Sequence, residues 1–271
     1  MSDAPAPSAP PGGYRYGGLY RPTWANIVLA ISYICRGRRR SLAADGVLAF
    51  RHVRVAPLVR GEDRIPELGP FVVVANHYER PGLWMAWPAL HVSHLVQLRT
   101  GQDIRWVAIQ EWEDYRFHGI PVPPRVTRAI FERAYAAYGI IGMPQPSAPA
   151  ASRAAAIRSV VDVVRGGGIV GLMPEGTVGA TPELLPAREG VGTFLSLLTG
   201  TGASVVPVGL FEEEGHMVAS FGSPFRPDLQ VGVDRTELDR RIREQVMHAI
   251  RDQLPPALWG SYRSAETSDP S

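Results

Sequence analysis

The run Phe71-Val-Val-Val-Ala-Asn-His77-Tyr-Glu-Arg-Pro-Gly-Leu-Trp84 decides the fold. Its first five residues are apolar without interruption, the mark of a buried strand. The strand breaks at Asn76-His77, a charged turn follows, and Pro81-Gly82 opens an apolar helix. A histidine at the carboxyl end of a buried strand is where α/β sheets place their chemistry.

On either side of this run, helical and strand periodicities alternate along the chain. Downstream, Leu83 to Leu98 reads as a buried helix and Ile104 to Ile109 as a strand. Pro124 to Tyr138 is predicted helical, with Val126, Ile130, Ala134 and Ala137 on one side; Gly139 to Met143 then forms a strand. Ile157, Val160, Val161 and Val164 stripe a helix over Ser152 to Arg165, which Gly166 to Gly168 terminate. Ile169 to Met173 is a buried strand that runs into Pro174-Glu175-Gly176-Thr177. A helix over about Gly190–Leu198 leads to strands at Ser204–Gly209 and Met217–Phe221. Thr236 to Leu254 closes the chain as an amphipathic helix with Leu238, Ile242, Val246, Ala249 and Ile250 inward, and Thr236 with Asp239 placed to cap it. Upstream, Phe50 to Pro57 alternates polar and apolar residues as a half-buried strand does, and Gly61 to Pro70 is a turn-rich connector. The expected fold class is α/β: one domain over 46–262, with a mixed, largely parallel sheet flanked by helices.

Composition narrows the chemistry. With 271 residues, 45% of them hydrophobic and 20% charged, the chain can bury a large core. A formal charge of +2 gives no footprint for nucleic acid. All 28 basic residues are arginine, which excludes a catalytic lysine or Schiff base. The single cysteine, Cys35, excludes an internal disulfide or a cysteine metal site, and its apolar run reads as packing. His91 and His94 have metal-ligand spacing on a helix, but no acid cluster supports them and no metal is expected. Neither a Gly-x-Ser-x-Gly elbow nor a His-Glu-x-x-His pair is present, so a serine or metal hydrolase is disfavoured.

Residues 1–22, rich in Pro, Gly, Ala and Ser, read as a tail without a signal peptide, as do residues 263–271 at the other end. Trp24 to Cys35 is apolar for only a dozen residues, short of the roughly 20 that span a bilayer. Arg36-Gly-Arg38-Arg39-Arg40 follows at once. Residues 23–45 therefore suit an interfacial helix with guanidinium groups on lipid phosphates, which would place the protein peripherally at the cytoplasmic face of a membrane. The competing reading is a helix packed on the domain with solvated arginines.

The order of motifs resembles the lysophosphatidic acid (1-acylglycerol-3-phosphate) acyltransferase family of glycerolipid acyltransferases, over roughly residues 56–260. Asn76-His77 after the Val-rich strand is similar to the family's opening motif, and Arg105-Trp-Val-Ala-Ile-Gln-Glu-Trp112 resembles the strand and turn that follow. Gly139-Ile-Ile-Gly-Met-Pro-Gln145 occupies the second motif, Pro174-Glu175-Gly176-Thr177 the third and Val205-Val206-Pro207-Val208 the fourth. Arg188 and Gly190 stand where the family has a basic residue and a glycine before a helix.

That resemblance implies transfer of a fatty acyl group from acyl-CoA or acyl carrier protein to a hydroxyl of a lysolipid, with no other cofactor. His77 would be the general base, and Glu175, Gly176, Thr177 and Arg188 would serve substrate binding. The sequence departs from the family at three positions. Gly82 stands where an aspartate orients the histidine; Gln145 and Val178 replace two arginines implied to hold the acceptor's phosphate. Either the site is rearranged or the chemistry is lost and the fold binds lipid or a lipid enzyme. In the first case Glu79 is the nearest substitute acid, Glu111 or Glu113 could reach from the next loop, and Arg80 with Arg188 would meet an anionic headgroup. Retention of both His77 and Glu175 favours activity.

Overall fold

The protein is described by a computed structural model over residues 23–263, apart from 52, 54, 81–82, 84–85, 110–115, 118–119, 146, 178, 180 and 230–231, with backbone alone at 116–117 and 120–121. Its elements run α1 Trp24–Cys35, α2 Leu42–Phe50, β1 Leu58–Arg60, β2 Phe71–Ala75, α3 Ala86–Thr100, β3 Ile104–Ile109, β4 Arg116–Phe117 and β5 Ile120–Pro121. They continue with α4 Pro124–Tyr138, β6 Ile141–Met143, α5 Ala150–Arg165, β7 Ile169–Leu172, α6 Val191–Thr199, β8 Ser204–Glu213, β9 His216–Phe221 and α7 Arg235–Arg251.

The main sheet has the order β1-β9-β8-β2-β7-β3-β6, with β4 and β5 in a separate hairpin. Neighbours are parallel throughout except for the β8–β9 pair, so the mixed, largely parallel α/β sheet is as expected. The Phe71 run is the middle strand, and all five of its residues are fully buried. Burying Phe71 and each of the three valines stabilises by roughly 1.5–3 kcal/mol, which is why an unbroken apolar run commits this segment to the centre. Helix α3 packs on β3 and β9, while α5, α6 and α7 form a packed layer on β6, β7, β8 and β2.

Several sequence expectations are corrected. Among the described residues of 50–57 there is no strand: Phe50 ends α2, a helix whose start is capped by the Ser41 hydroxyl 3.1 Å from the Ala44 N–H. The edge strand comes later, as β1 alongside β9. On α4, Val126 and Ile130 are exposed while Thr127 and Ala137 are buried. The stripe is therefore covered only towards its carboxyl end, with Ala134 half-buried and Ala137 buried. Cys35 is exposed at the end of α1. The cap of α7 is Asp234, which accepts the N–H groups of Thr236 and Glu237 at 2.9 and 3.2 Å. His91 is buried, its Nε2 3.2 Å from the Leu58 carbonyl oxygen on β1. Among the described residues no helix is long and apolar enough to cross a membrane, and no three His, Cys, Asp or Glu side chains gather as metal donors.

Candidate active site

Parallel pairing of β2 with β7 brings their carboxyl ends together. Val74 lies opposite Leu172, so the residues just beyond, Asn76-His77 and Pro174-Glu175, emerge side by side at one edge of the sheet. On the other flank Ala75 lies opposite Val208 of β8.

Asn76 extends the ladder with its side chain. Its Nδ2 donates to the Leu210 carbonyl at 2.9 Å and its Oδ1 accepts the Leu210 N–H at 2.7 Å. The amide replaces a backbone pair at the point where β2 stops, so the chain can turn without leaving buried groups unsatisfied. The turn beyond closes between Arg80 and Leu83, whose backbones exchange hydrogen bonds of 3.2 and 2.9 Å.

Glu175 is the hub of the site. It is buried, one carboxylate oxygen accepts the backbone N–H of His77, and the other accepts the backbone N–H of Leu185 at 2.8 Å. Burial pushes its carboxyl up from the ordinary 4.5 to about 7, and the two N–H groups oppose that rise without cancelling it. The His77 imidazole bonds the backbone carbonyl of Thr177. Burial lowers its pKa, outweighing the Thr177 carbonyl, which favours the protonated ring. The ring is therefore neutral at pH 7 and able to accept a proton.

Around this hub the loop after β7 is tightly made. Gly176 has φ +61°, and a Cβ there would fall 2.5 Å from the Cδ of Arg188, so only glycine lets that side chain lie across the turn. The Arg188 N–H bonds the Pro174 carbonyl at 3.0 Å. Its guanidinium is exposed, and among the described residues it makes no hydrogen bond or ion pair. The segment bearing it is anchored by Asp239 of α7, whose carboxylate accepts the N–H groups of Gly190 and Thr193 at 3.1 and 2.8 Å. Asp239 thus caps α6 rather than its own helix. Arg243 completes the clamp, with Nε 2.8 Å from Asp239 and Nη1 3.2 Å from the Ala187 carbonyl.

The structure therefore brings His77, Glu175, Gly176, Thr177 and Arg188 to one edge. Arg80 is drawn elsewhere, into a two-pronged ion pair with Glu212 of β8, which also accepts the Tyr78 hydroxyl at 3.2 Å. Glu79 is half-buried. Gln145 is half-buried beyond β6, which β3 separates from β7, a lateral distance of about 10 Å. Gly82, Glu111, Glu113 and Val178 lie outside the described residues. Sequence reading misses Glu212 and misassigns Asp239, because an acid that fastens a distant segment leaves no local pattern.

Comparison with known proteins agrees with this architecture. A family model described as acyltransferase matches residues 56–210. The fold is similar to that of a crystal structure of the 1-acyl-sn-glycerophosphate (LPA) acyltransferase, PlsC, from Thermotoga maritima, with a TM-score of 0.50 and 18% identity over 84% of this chain and 92% of that one. No curated protein matches the sequence. The family match takes in β1 through most of β8, more than half of the chain, and includes both His77 and Glu175. The chain belongs to the acyltransferase family.

Proposed function

We propose that the protein transfers a fatty acyl group from the thioester of acyl-CoA or acyl carrier protein to a hydroxyl of a lysolipid or related acceptor in glycerolipid synthesis, with His77 as general base. The neutral imidazole takes the hydroxyl proton as the oxygen attacks the thioester carbonyl. The tetrahedral intermediate collapses, the carbon–sulfur bond breaks, and the leaving thiolate takes the proton back from the imidazolium. The observation supporting this reading is the tie between the His77 turn and the Glu175 loop, which holds a half-buried, neutral imidazole at the same sheet edge as the loop that carries the exposed Arg188.

The aspartate that Gly82 replaces would fix the tautomer and stabilise the imidazolium, and losing such an acid costs on the order of 10⁴ in turnover. The Thr177 carbonyl supplies the first of these effects. Glu79 is assigned the second. Gly176 and Thr177 present backbone and hydroxyl groups to the acceptor, and Arg188 holds its anionic group. Arg80, engaged by Glu212, steadies the turn and leaves headgroup binding to Arg188.

We further infer peripheral attachment to a membrane at its cytoplasmic face. Support comes from α1, which has no buried residue and ends in an arginine cluster. The test is incubation of purified protein with labelled acyl-CoA or acyl carrier protein and a panel of lysolipids, beside His77→Ala. Transfer that persists undiminished in the variant would remove His77 as the base. Absence of transfer with every donor and acceptor would leave a lipid-binding protein.

A further inference from the structure

Helix α1 leaves Trp24 and Val28 exposed at 81% and 62%, and α4 packed beside it leaves Val126 and Ile130 exposed at 48% and 54%. Exposed apolar side chains on two packed helices suit a surface that leaves water. At one end of this pair stands a cluster of charge that acyl transfer does not use. The Arg40 N–H bonds the Ala137 carbonyl at 2.8 Å, which lays the Arg36–Arg40 turn on the carboxyl end of α4.

Gly139 closes α4 with φ +65°, and the space where its Cβ would stand belongs to arginines. That Cβ would fall 1.6 Å from Arg105 Nη1 and 3.2 Å from Arg39 Nη1. The two nitrogens are therefore no more than about 5 Å apart, close enough for like charges to repel. Among the described residues neither guanidinium makes a hydrogen bond or ion pair. Acids of the neighbouring segments are engaged elsewhere. Asp45 is held by both prongs of Arg40 and by the Tyr138 hydroxyl at 2.7 Å, and Asp103 by the Ser41 hydroxyl at 2.6 Å. The negative end of the α4 dipole offsets part of the repulsion and lets the pair stand without an anion. Two guanidinium groups this close, without a carboxylate partner, suit a phosphate.

We propose that Arg39 and Arg105 form a binding site for the headgroup phosphate of an anionic phospholipid, seated where α1 and α4 present their apolar side chains to the membrane. The lipid source follows from that apolar patch on the same two helices and from Arg36 and Arg38, exposed beside the pair. Arg105 sits about 13 Å along β3 from Ile109, the end nearer the His77 edge, so the site is separate from the acyl-transfer centre. The proposal rests on the membrane-attachment reading, and its test separates the two.

The experiment compares the parent chain with Arg39→Gln/Arg105→Gln and with Val28→Ser/Ile31→Ser. Sedimentation is measured with phosphatidylcholine vesicles with and without phosphatidylglycerol, and calorimetry with monomeric dihexanoyl phosphatidylglycerol and with inorganic phosphate. The arginine variant should lose at least tenfold in binding to phosphatidylglycerol vesicles and to the monomeric lipid, while keeping its weak binding to neutral vesicles. The serine variant should fail on both vesicles and still bind the monomeric lipid. Arg39→Gln alone, at an exposed position, carries the test if the Arg105 change impairs folding. Unchanged phosphatidylglycerol binding in the arginine variants would overturn the site, and equal affinity for inorganic phosphate would overturn its assignment to lipid. A parent chain that binds neither vesicle would overturn the membrane reading, with the monomeric lipid then judging the arginine pair alone.

Discussion

The Glu175 carboxylate accepts the backbone N–H of His77, so the residue carrying the imidazole and the loop after β7 are fastened as one unit. The second oxygen, on the Leu185 N–H, extends that unit to the segment bearing Arg188. The base and the cation assigned to the acceptor are thereby held in register by one buried carboxyl.

That carboxyl has a signature in stability. Its folded pKa of about 7 lies above the ordinary 4.5, so the fold favours the protonated form. The resulting stabilisation is complete below pH 4.5 and is lost as pH rises to about 7, an amount on the order of 3 kcal/mol. Glu175→Gln cannot ionise. Relative to the parent it should gain stability by this amount between pH 4.5 and 7.5, read from urea midpoints, and a constant difference would contradict the assignment.

The ion pair between Arg80 and Glu212 braces the turn from β8, with side chains 19% and 9% exposed. Removing one partner of such a pair leaves an uncompensated charge, at a cost of about 3 kcal/mol. Glu212→Leu should therefore destabilise the domain and lower kcat, and Arg80→Leu in the same chain should restore much of the stability. A double-mutant cycle in chemical denaturation measures the coupling, which is expected to be favourable.

Asp239 fastens the start of α6 and, through it, Arg188. Asp239→Ala should cost about 1–2 kcal/mol, as loss of a helix cap does, and raise KM for the acceptor more than it lowers kcat. Arg188→Gln should weaken kcat/KM for an anionic acceptor by about 10- to 100-fold, the value of a charge-assisted hydrogen bond, and leave a neutral acceptor unaffected. Equal losses on both acceptors would give Arg188 a structural role instead.

What can be read from sequence follows from where the signal is local. β2, β7 and the core of β8 are apolar runs bounded by glycine, proline or polar turns, and each is legible to within a few residues. Helix α2 is hidden because Asp45 and Gly46 interrupt its apolar pattern, although Gly46 is there to let α2 approach α3, its missing Cβ facing the Leu90 carbonyl at 2.7 Å. The alternation after Phe50 imitates a strand, but the described residues there form none. Val126 and Ile130 form a valid stripe whose partner is not the core. His77 and Glu175 are legible as strand-end residues. Their connection through a backbone N–H is not, because it depends on the β2–β7 register.

His77 is proposed as a base that is already neutral at physiological pH. Burial holds its imidazole below the usual 6.5, so kcat/KM for acyl transfer should fall at low pH along an acid limb with an apparent pKa under 6.5. The measurement is that profile for the parent and for His77→Ala. A loss of at least about 100-fold is expected in the variant, with the acid limb gone. A variant that retains both the rate and the limb would contradict it.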